Sequence, residues 1–309
     1  MKKRRRFLVP NDSHGESPSV AIYHVVTRVV DRRFVLEADE KEQLRILLRM
    51  YERFSGCRIL SYCLMSNHLH VLLEVPPGCE KGESLGLSDE ELLRRLGGLY
   101  SKKYTALVER EIEAARELIA GSSAEDGGGL TQLEREENAR LGSETLEAIH
   151  VRYSYRMHSL SEFFKGMLHR FTCWFNREHG RKGTLWESRF RSVMVQDGLA
   201  ARTMAAYIDL NPVRAGIVED PADYRWSSYG EAVGGGRGAK KAQQGLVRAL
   251  YTLGKKEVSS RSWAQGGVAK NYRRILIAAG MEQGEERNHS GAKRKVVTRK
   301  GMDREKAKS

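Results

Sequence analysis

Arg58-Ile59-Leu60-Ser61-Tyr62-Cys63-Leu64-Met65-Ser66-Asn67-His68-Leu69-His70-Val71-Leu72-Leu73-Glu74-Val75 is the stretch on which the fold turns. Arg58 to Met65 reads as a strand, Ser66-Asn67 as a tight connection, and His68 to Val75 as a second strand stopped by Pro76-Pro77. Side chains alternate along a strand, so Leu69, Val71 and Leu73 point into a core. His68 and His70 then share the opposite face, where the reading places them towards solvent and tolerant of truncation.

Working outward, Ala21 to Arg28 (Ala-Ile-Tyr-His-Val-Val-Thr-Arg) is a strand rich in β-branched and aromatic residues. Glu40 to Phe54 carries Leu44, Leu47, Leu48 and Tyr51 at helical spacing, which makes the first part β-α-β-β. Further on, Ser161 to Glu178 sets Phe163, Phe164, Met167, Leu168, Phe171, Trp174 and Phe175 in a wide apolar helical stripe suited to core packing. Arg189 to Gln196 is a last strand, and Asp197 is placed to cap a helix that carries Tyr207. Pro212 disfavours the α conformation at Asn211, so that helix should end there. The order β-α-β-β-α-β-α predicts an α+β protein with a ferredoxin-like antiparallel sheet, helices on one face, extended by one helix.

The remaining segments are appendages to this core. Residues 78 to 150 are helical in pattern, rich in Glu and broken at Gly127-Gly128-Gly129, which reads as a helical insertion. Gly234-Gly235-Gly236 marks the end of the core. The chain thus divides into a basic N-terminal arm (1–19), a core (20–77 and 151–233), an acidic helical insertion (78–150), a C-terminal helical extension (234–286) and a basic disordered tail (287–309).

Composition narrows the function. In 309 residues, 40% hydrophobic and 30% charged suggests one compact domain with polar additions. No stretch approaches the roughly 18 apolar residues that span a bilayer, and the Lys-Lys-Arg-Arg-Arg start lacks the apolar run of a signal peptide, so the expected location is cytoplasmic. Cys57, Cys63, Cys79 and Cys173 are scattered without CxxC spacing and read as reduced thiols. A net charge of +13 favours an anionic partner, nucleic acid before membrane. Residues 109–147 hold eleven acids against four arginines, whereas residues 152–214 hold eleven bases against five acids and residues 287–309 nine against two, so the basic blocks flank the candidate chemistry.

Two imidazoles on one strand face can share a cation. Tyr207 and Asn211, four apart on a helix, could present a phenol and an amide oxygen to the same cation. The same residues also fit a satisfied structural histidine pair and a packing tyrosine. Arg181, Lys182, Arg189, Arg191 and Arg214 surround this site in sequence and can grip phosphates, and Trp186 and Phe190 could stack on unpaired bases. A turn anchor is the other reading of Trp186.

Tyr62-Cys63-Leu64-Met65-Ser66-Asn67-His68-Leu69-His70, then Leu160 to Phe175 leading into His179-Gly180-Arg181-Lys182-Gly183-Thr184-Leu185-Trp186-Glu187-Ser188-Arg189-Phe190, then Tyr207 to Gly216, resemble the single-tyrosine HUH transposases and, within them, the REP-associated tyrosine transposases. The resemblance spans roughly residues 20–230 and is interrupted by the acidic insertion, in which this chain departs from the pattern. It implies a metal-dependent DNA strand transferase in which His68 and His70 bind a divalent metal, Tyr207 attacks DNA to give a 5′-phosphotyrosine, and Asn211 stands where the family places a further polar ligand. The implied partner is single-stranded DNA with palindromic hairpins, and the implied metal is Mg²⁺ or Mn²⁺, with nitrogen plus oxygen donors suiting Mn²⁺ somewhat better. Monomer and dimer both remain open. Two other functions fit the same residues: a domesticated hairpin-binding protein without turnover, and a metal-dependent phosphodiesterase that uses water. The intact His/His/Tyr/Asn set argues against decay to a pure binder.

Overall fold

The computed structural model describes residues 20–80, 82–123, 131–196, 198–251, 263–264 and 267–280. The expected basic arm, the basic tail, Gly127-Gly128-Gly129 and Asp197 lie outside the described residues. The described residues form two compact units, those within 20–45, 58–74 and 172–280 in one, and those within 46–57 and 75–171 in the other.

In the first unit, strands β1 (Ala21–Arg28), β2 (Arg58–Leu64), β3 (His68–Val75) and β4 (Arg191–Val195) form a four-stranded sheet in the order β2-β3-β1-β4. The pairs β2–β3 and β1–β4 are antiparallel, so β1 and β3, with their β-branched and aromatic residues, hold the sheet centre. The molecule is an α+β protein of the expected ferredoxin-like kind. The β2–β3 connection closes through Met65 N–H donating to the His68 carbonyl at 2.8 Å. Every residue of β3 after His68 is buried, on both faces.

Helix α1 (Ala38–Ser55) follows β1, and its first half belongs to this unit. The second unit takes the other half of α1 together with α2 (Asp89–Leu96), α3 (Lys102–Ser123), α4 (Gln132–Ser154) and the larger part of α5 (Leu160–Glu178). Ser88 caps α2 by accepting from Glu91 N–H, and Thr131 with Glu134 forms a reciprocal capping box at α4. Helices α3 and α4 approach so closely that a Cβ on Gly142 would stand 2.7 Å from the Ala115 carbonyl oxygen. The apolar stripe of α5 behaves as its spacing dictates: Phe163, Phe164, Met167 and Phe171 are buried, and the Phe163 ring meets Tyr51 edge-on at 5.9 Å.

After β4 the first unit continues with α6 (Leu199–Asp209), α7 (Asn211–Arg214), α8 (Ser228–Gly234), α9 (Ala239–Tyr251) and α10 (Val268–Gly280). The helix that carries Tyr207 stops at Asp209, two residues before the expected end, and the chain restarts at once in the four-residue α7. Pro212 falls in the first turn of α7, where a missing N–H leaves no bond unmade. One core joins Ile22, Leu60, Leu72 and Val195 of the sheet to Ala201, Ala205 and Ile208 of α6 and to Leu246, Tyr272 and Leu276 of the last two helices. Helix α9 crosses β2 beside its bulge between Ile59 and Ser61, and only Gly245 permits the approach, since a Cβ there would stand 2.3 Å from the Ile59 carbonyl oxygen. Among the described residues, no helix is long and apolar enough to cross a membrane.

Candidate nucleic-acid cleavage site

The alternation along β3 places His68, His70 and Leu72 on the face that α6 covers, and along β1 the same face receives Ile22, His24, Val26 and Arg28. Two central strands and one helix thereby bring four rings together. The His68 and His70 centroids are 5.1 Å apart, His70 and His24 5.2 Å, and the Tyr207 ring stands edge-on to His70 at 6.0 Å and to His24 at 6.3 Å. Helix α6 can lie this close because Ala201, Ala205 and Ala206, all buried, form its inner face.

His68 has a determined proton position. Asn67 donates its amide Nδ2–H to the Arg32 carbonyl at 2.9 Å, so the amide oxygen is the atom that faces His68 Nδ1, 2.6 Å away. An oxygen acceptor there requires Nδ1–H on His68, which leaves Nε2 bare. Asn67 is itself held in place: its carbonyl accepts from Val29 N–H and the Ser66 carbonyl accepts from Leu36 N–H. The turn that supplies Arg32 is strained, with Asp31 and Arg32 both at positive φ.

Electrostatics keep both histidines of the pair neutral. Burial, helped by the Arg28 cation, lowers His68 to about 4. Burial and then the charges of His68, His24 and Arg28 lower His70 to about 3. Burial also lowers His24. One expectation requires correction here, because His70 is only 6% exposed. The Tyr207 helix covers the face that the sequence reading left to solvent, so truncating His70 opens a cavity as well as removing a nitrogen.

Tyr207 is half-buried, and Asn211 donates Nδ2–H to the carbonyls of Tyr207 (3.0 Å) and Ile208 (3.2 Å). Its amide oxygen is thereby turned away from those two carbonyls. The Arg214 guanidinium lies 4.8 Å over the Tyr207 ring. Among the described residues, no three His, Cys, Asp or Glu side chains are grouped as a metal site. His68 and His70 set two neutral imidazoles side by side, donors of the kind a divalent cation takes.

The other expected contacts are placed less centrally. Arg191 opposes Val26 and Val193 opposes His24 in the β1–β4 register, so both lie on the sheet face of the histidines, Arg191 exposed and Val193 65% exposed. Arg181 stays with its own loop, its guanidinium 5.6 Å over the Phe175 ring and donating to the Thr184 carbonyl. Lys182 and Arg189 are exposed. Trp186 is half-buried and forms a β-bridge with Val29, next to the turn that holds Asn67. Phe190, expected to offer its ring to a base, is buried at 8% exposure and has no open face for one. A groove beside the phenol is lined by Gln196, Leu199, Ala200, Thr203, Met204 and Tyr207.

Sequence reasoning missed His24 and Arg28. The period of two in Ala21–Arg28 would have placed both on one face, but nothing in that strand alone says that it neighbours β3.

No curated protein matches the chain. One similar solved structure is that of the REP associates tyrosine transposase bound to a REP hairpin, at 14% identity and a TM-score of 0.38, covering 84% of this chain and 96% of that one. Residues 18–84 match the family described as transposase IS200 like. That segment contributes His24, His68 and His70.

Proposed function

We propose that this protein is a transposase that cleaves and rejoins single-stranded DNA flanked by palindromic hairpins, with Tyr207 as the nucleophile. The observation that carries the reading is the convergence of Tyr207 with His68 and His70, from a helix and a strand far apart in sequence, with the Tyr207 ring 6.0 Å from that of His70. The family match over residues 18–84 supports DNA transposition as the setting.

His68, His70 and Asn211 would hold a Mg²⁺ or Mn²⁺, which when bound neutralises the non-bridging oxygens of the scissile phosphate. The residues of the chain do the rest. Tyr207 Oη attacks phosphorus in line, the bond to the 3′ oxygen breaks, the phenolic proton is lost, and the departing oxygen takes up a proton to become a 3′-OH. The product is a 5′-phosphotyrosine that retains the phosphodiester bond energy, so a second 3′-OH can displace the tyrosine and join strands without ATP. Arg28, Arg191 and Arg214 supply positive charge around the site for the DNA backbone, and the groove lined by Leu199, Ala200 and Met204 offers an apolar wall to a neighbouring base.

The test is to incubate labelled hairpin DNA bearing single-stranded flanks with the protein and Mn²⁺, and to look for a protein-linked fragment on a denaturing gel. Tyr207→Phe should give no adduct and no cleavage while still binding the hairpin, because it removes one oxygen and leaves charge and packing unchanged. Undiminished cleavage by that variant would remove Tyr207 from the mechanism. Cleavage by the wild type without an adduct would indicate attack by water, and binding with neither would indicate a hairpin binder.

A further inference from the structure

The histidine pair is held by two different devices, and only one of them has a fixed proton. Asn67 settles His68. The partner of His70 is another histidine: His24 Nε2 and His70 Nδ1 are 3.0 Å apart. The N···N contact takes up most of the 5.2 Å between the centroids and the planes are only 8° apart, so the rings meet edge to edge in nearly one plane. That is the geometry of an in-line N–H···N hydrogen bond.

Such a bond admits two proton placements. If His24 donates, a neutral His70 must keep its own proton on Nε2 and has no lone pair to give a cation. If His70 donates, its Nε2 is bare, and the proton of His24 sits on Nδ1. We propose that His24 is a positioning residue that accepts the Nδ1 proton of His70 and so holds the Nε2 lone pair of His70 ready for a divalent cation. This inference rests on the metal-site reading above. His24 then does for His70 what the Asn67 oxygen does for His68, and both ligands are presented in one tautomer before any metal arrives. It is not itself a third ligand, since its Nε2 is spent on His70 and no group of three metal-binding side chains forms among the described residues.

The experiment uses the full chain, ¹⁵N-labelled at histidine and free of metal. Long-range ¹H–¹⁵N correlation spectra separate Nδ1–H from Nε2–H tautomers, and the His70 signals are assigned by their loss in His70→Gln. The wild type should show His70 with a bare Nε2. His24→Phe keeps a ring but offers no acceptor, and should let His70 move to the Nε2–H tautomer. His24→Gln, whose side-chain oxygen can accept the same proton, should restore the wild-type signature. In calorimetry, Mn²⁺ should bind about 10–100-fold more weakly to His24→Phe than to the wild type, the usual cost of losing such a partner, and within a few-fold of wild type to His24→Gln. An Nε2–H signature for His70 in the wild type would overturn the proposal, as would unchanged Mn²⁺ affinity in a folded His24→Phe. If the wild type bound no Mn²⁺ at all, the metal-site reading would fall, and the tautomer spectrum of the wild type would still decide the role of His24.

Discussion

Asp209 stands two positions after Tyr207 with no exposed surface, and it is where α6 is tied to its neighbours. One carboxylate oxygen accepts from Tyr229 N–H at 3.0 Å and the other from the Tyr272 hydroxyl at 2.6 Å, while burial pushes the carboxyl up to about 7. Asp209→Ala strands two buried donors, each costing roughly 1–3 kcal/mol. The expected outcome in urea denaturation is a lower midpoint with an unchanged slope, and an unchanged midpoint would show that other groups hold α6. The sequence contains Tyr207-Ile208-Asp209 as ordinary helix, and nothing local announces that a tyrosine 63 positions later supplies the hydroxyl. His24 was hidden for the same reason. His68 and His70 were legible because a period of two within one strand suffices to put them on one face, whereas His24 and Asp209 depend on which elements become neighbours.

Elements were legible in proportion to how much of their signal is internal. β1 and β3 run over the expected residues, Ala21–Arg28 and His68–Val75, because alternation and the Pro76-Pro77 stop are written in the strands themselves. Helix α6 ended early because the restart at α7 uses Pro212 as a helix start, a role that the rule for the residue before proline does not anticipate. The docking of α9 on β2 had no sequence signal beyond a glycine in an amphipathic helix. Its physical content is a contact distance, and that makes it testable. Gly245→Ala must push α9 off the Ile59 carbonyl, at a cost of about 1–3 kcal/mol for overpacking, against a gain of under about 1 kcal/mol in helix propensity. Thermal unfolding should show a lowered Tm, and a raised one would mean that the helix slides without penalty.

For the whole molecule, a net charge of +13, with eleven bases against five acids in 152–214, would make DNA binding strongly dependent on salt. The log-log slope of affinity against salt should be near roughly 0.7 for each single-strand phosphate neutralised, measured by fluorescence anisotropy with a labelled hairpin. Strand form should matter as much. Tyr207 is half-buried beside two histidines, so a hairpin with unpaired flanks should be cut and the same sequence as a full duplex should not. Equal cutting of both would favour a duplex nuclease. The Tyr272 to Asp209 bond carries one further consequence, which concerns the order of synthesis. His24, His68, His70 and Tyr207 all leave the ribosome before α10, yet α6 gains its buried hydroxyl partner only when Tyr272 arrives. These four side chains are therefore translated early and locked late, so a growing chain carries the parts of the candidate site for some time before the tyrosine's helix is seated.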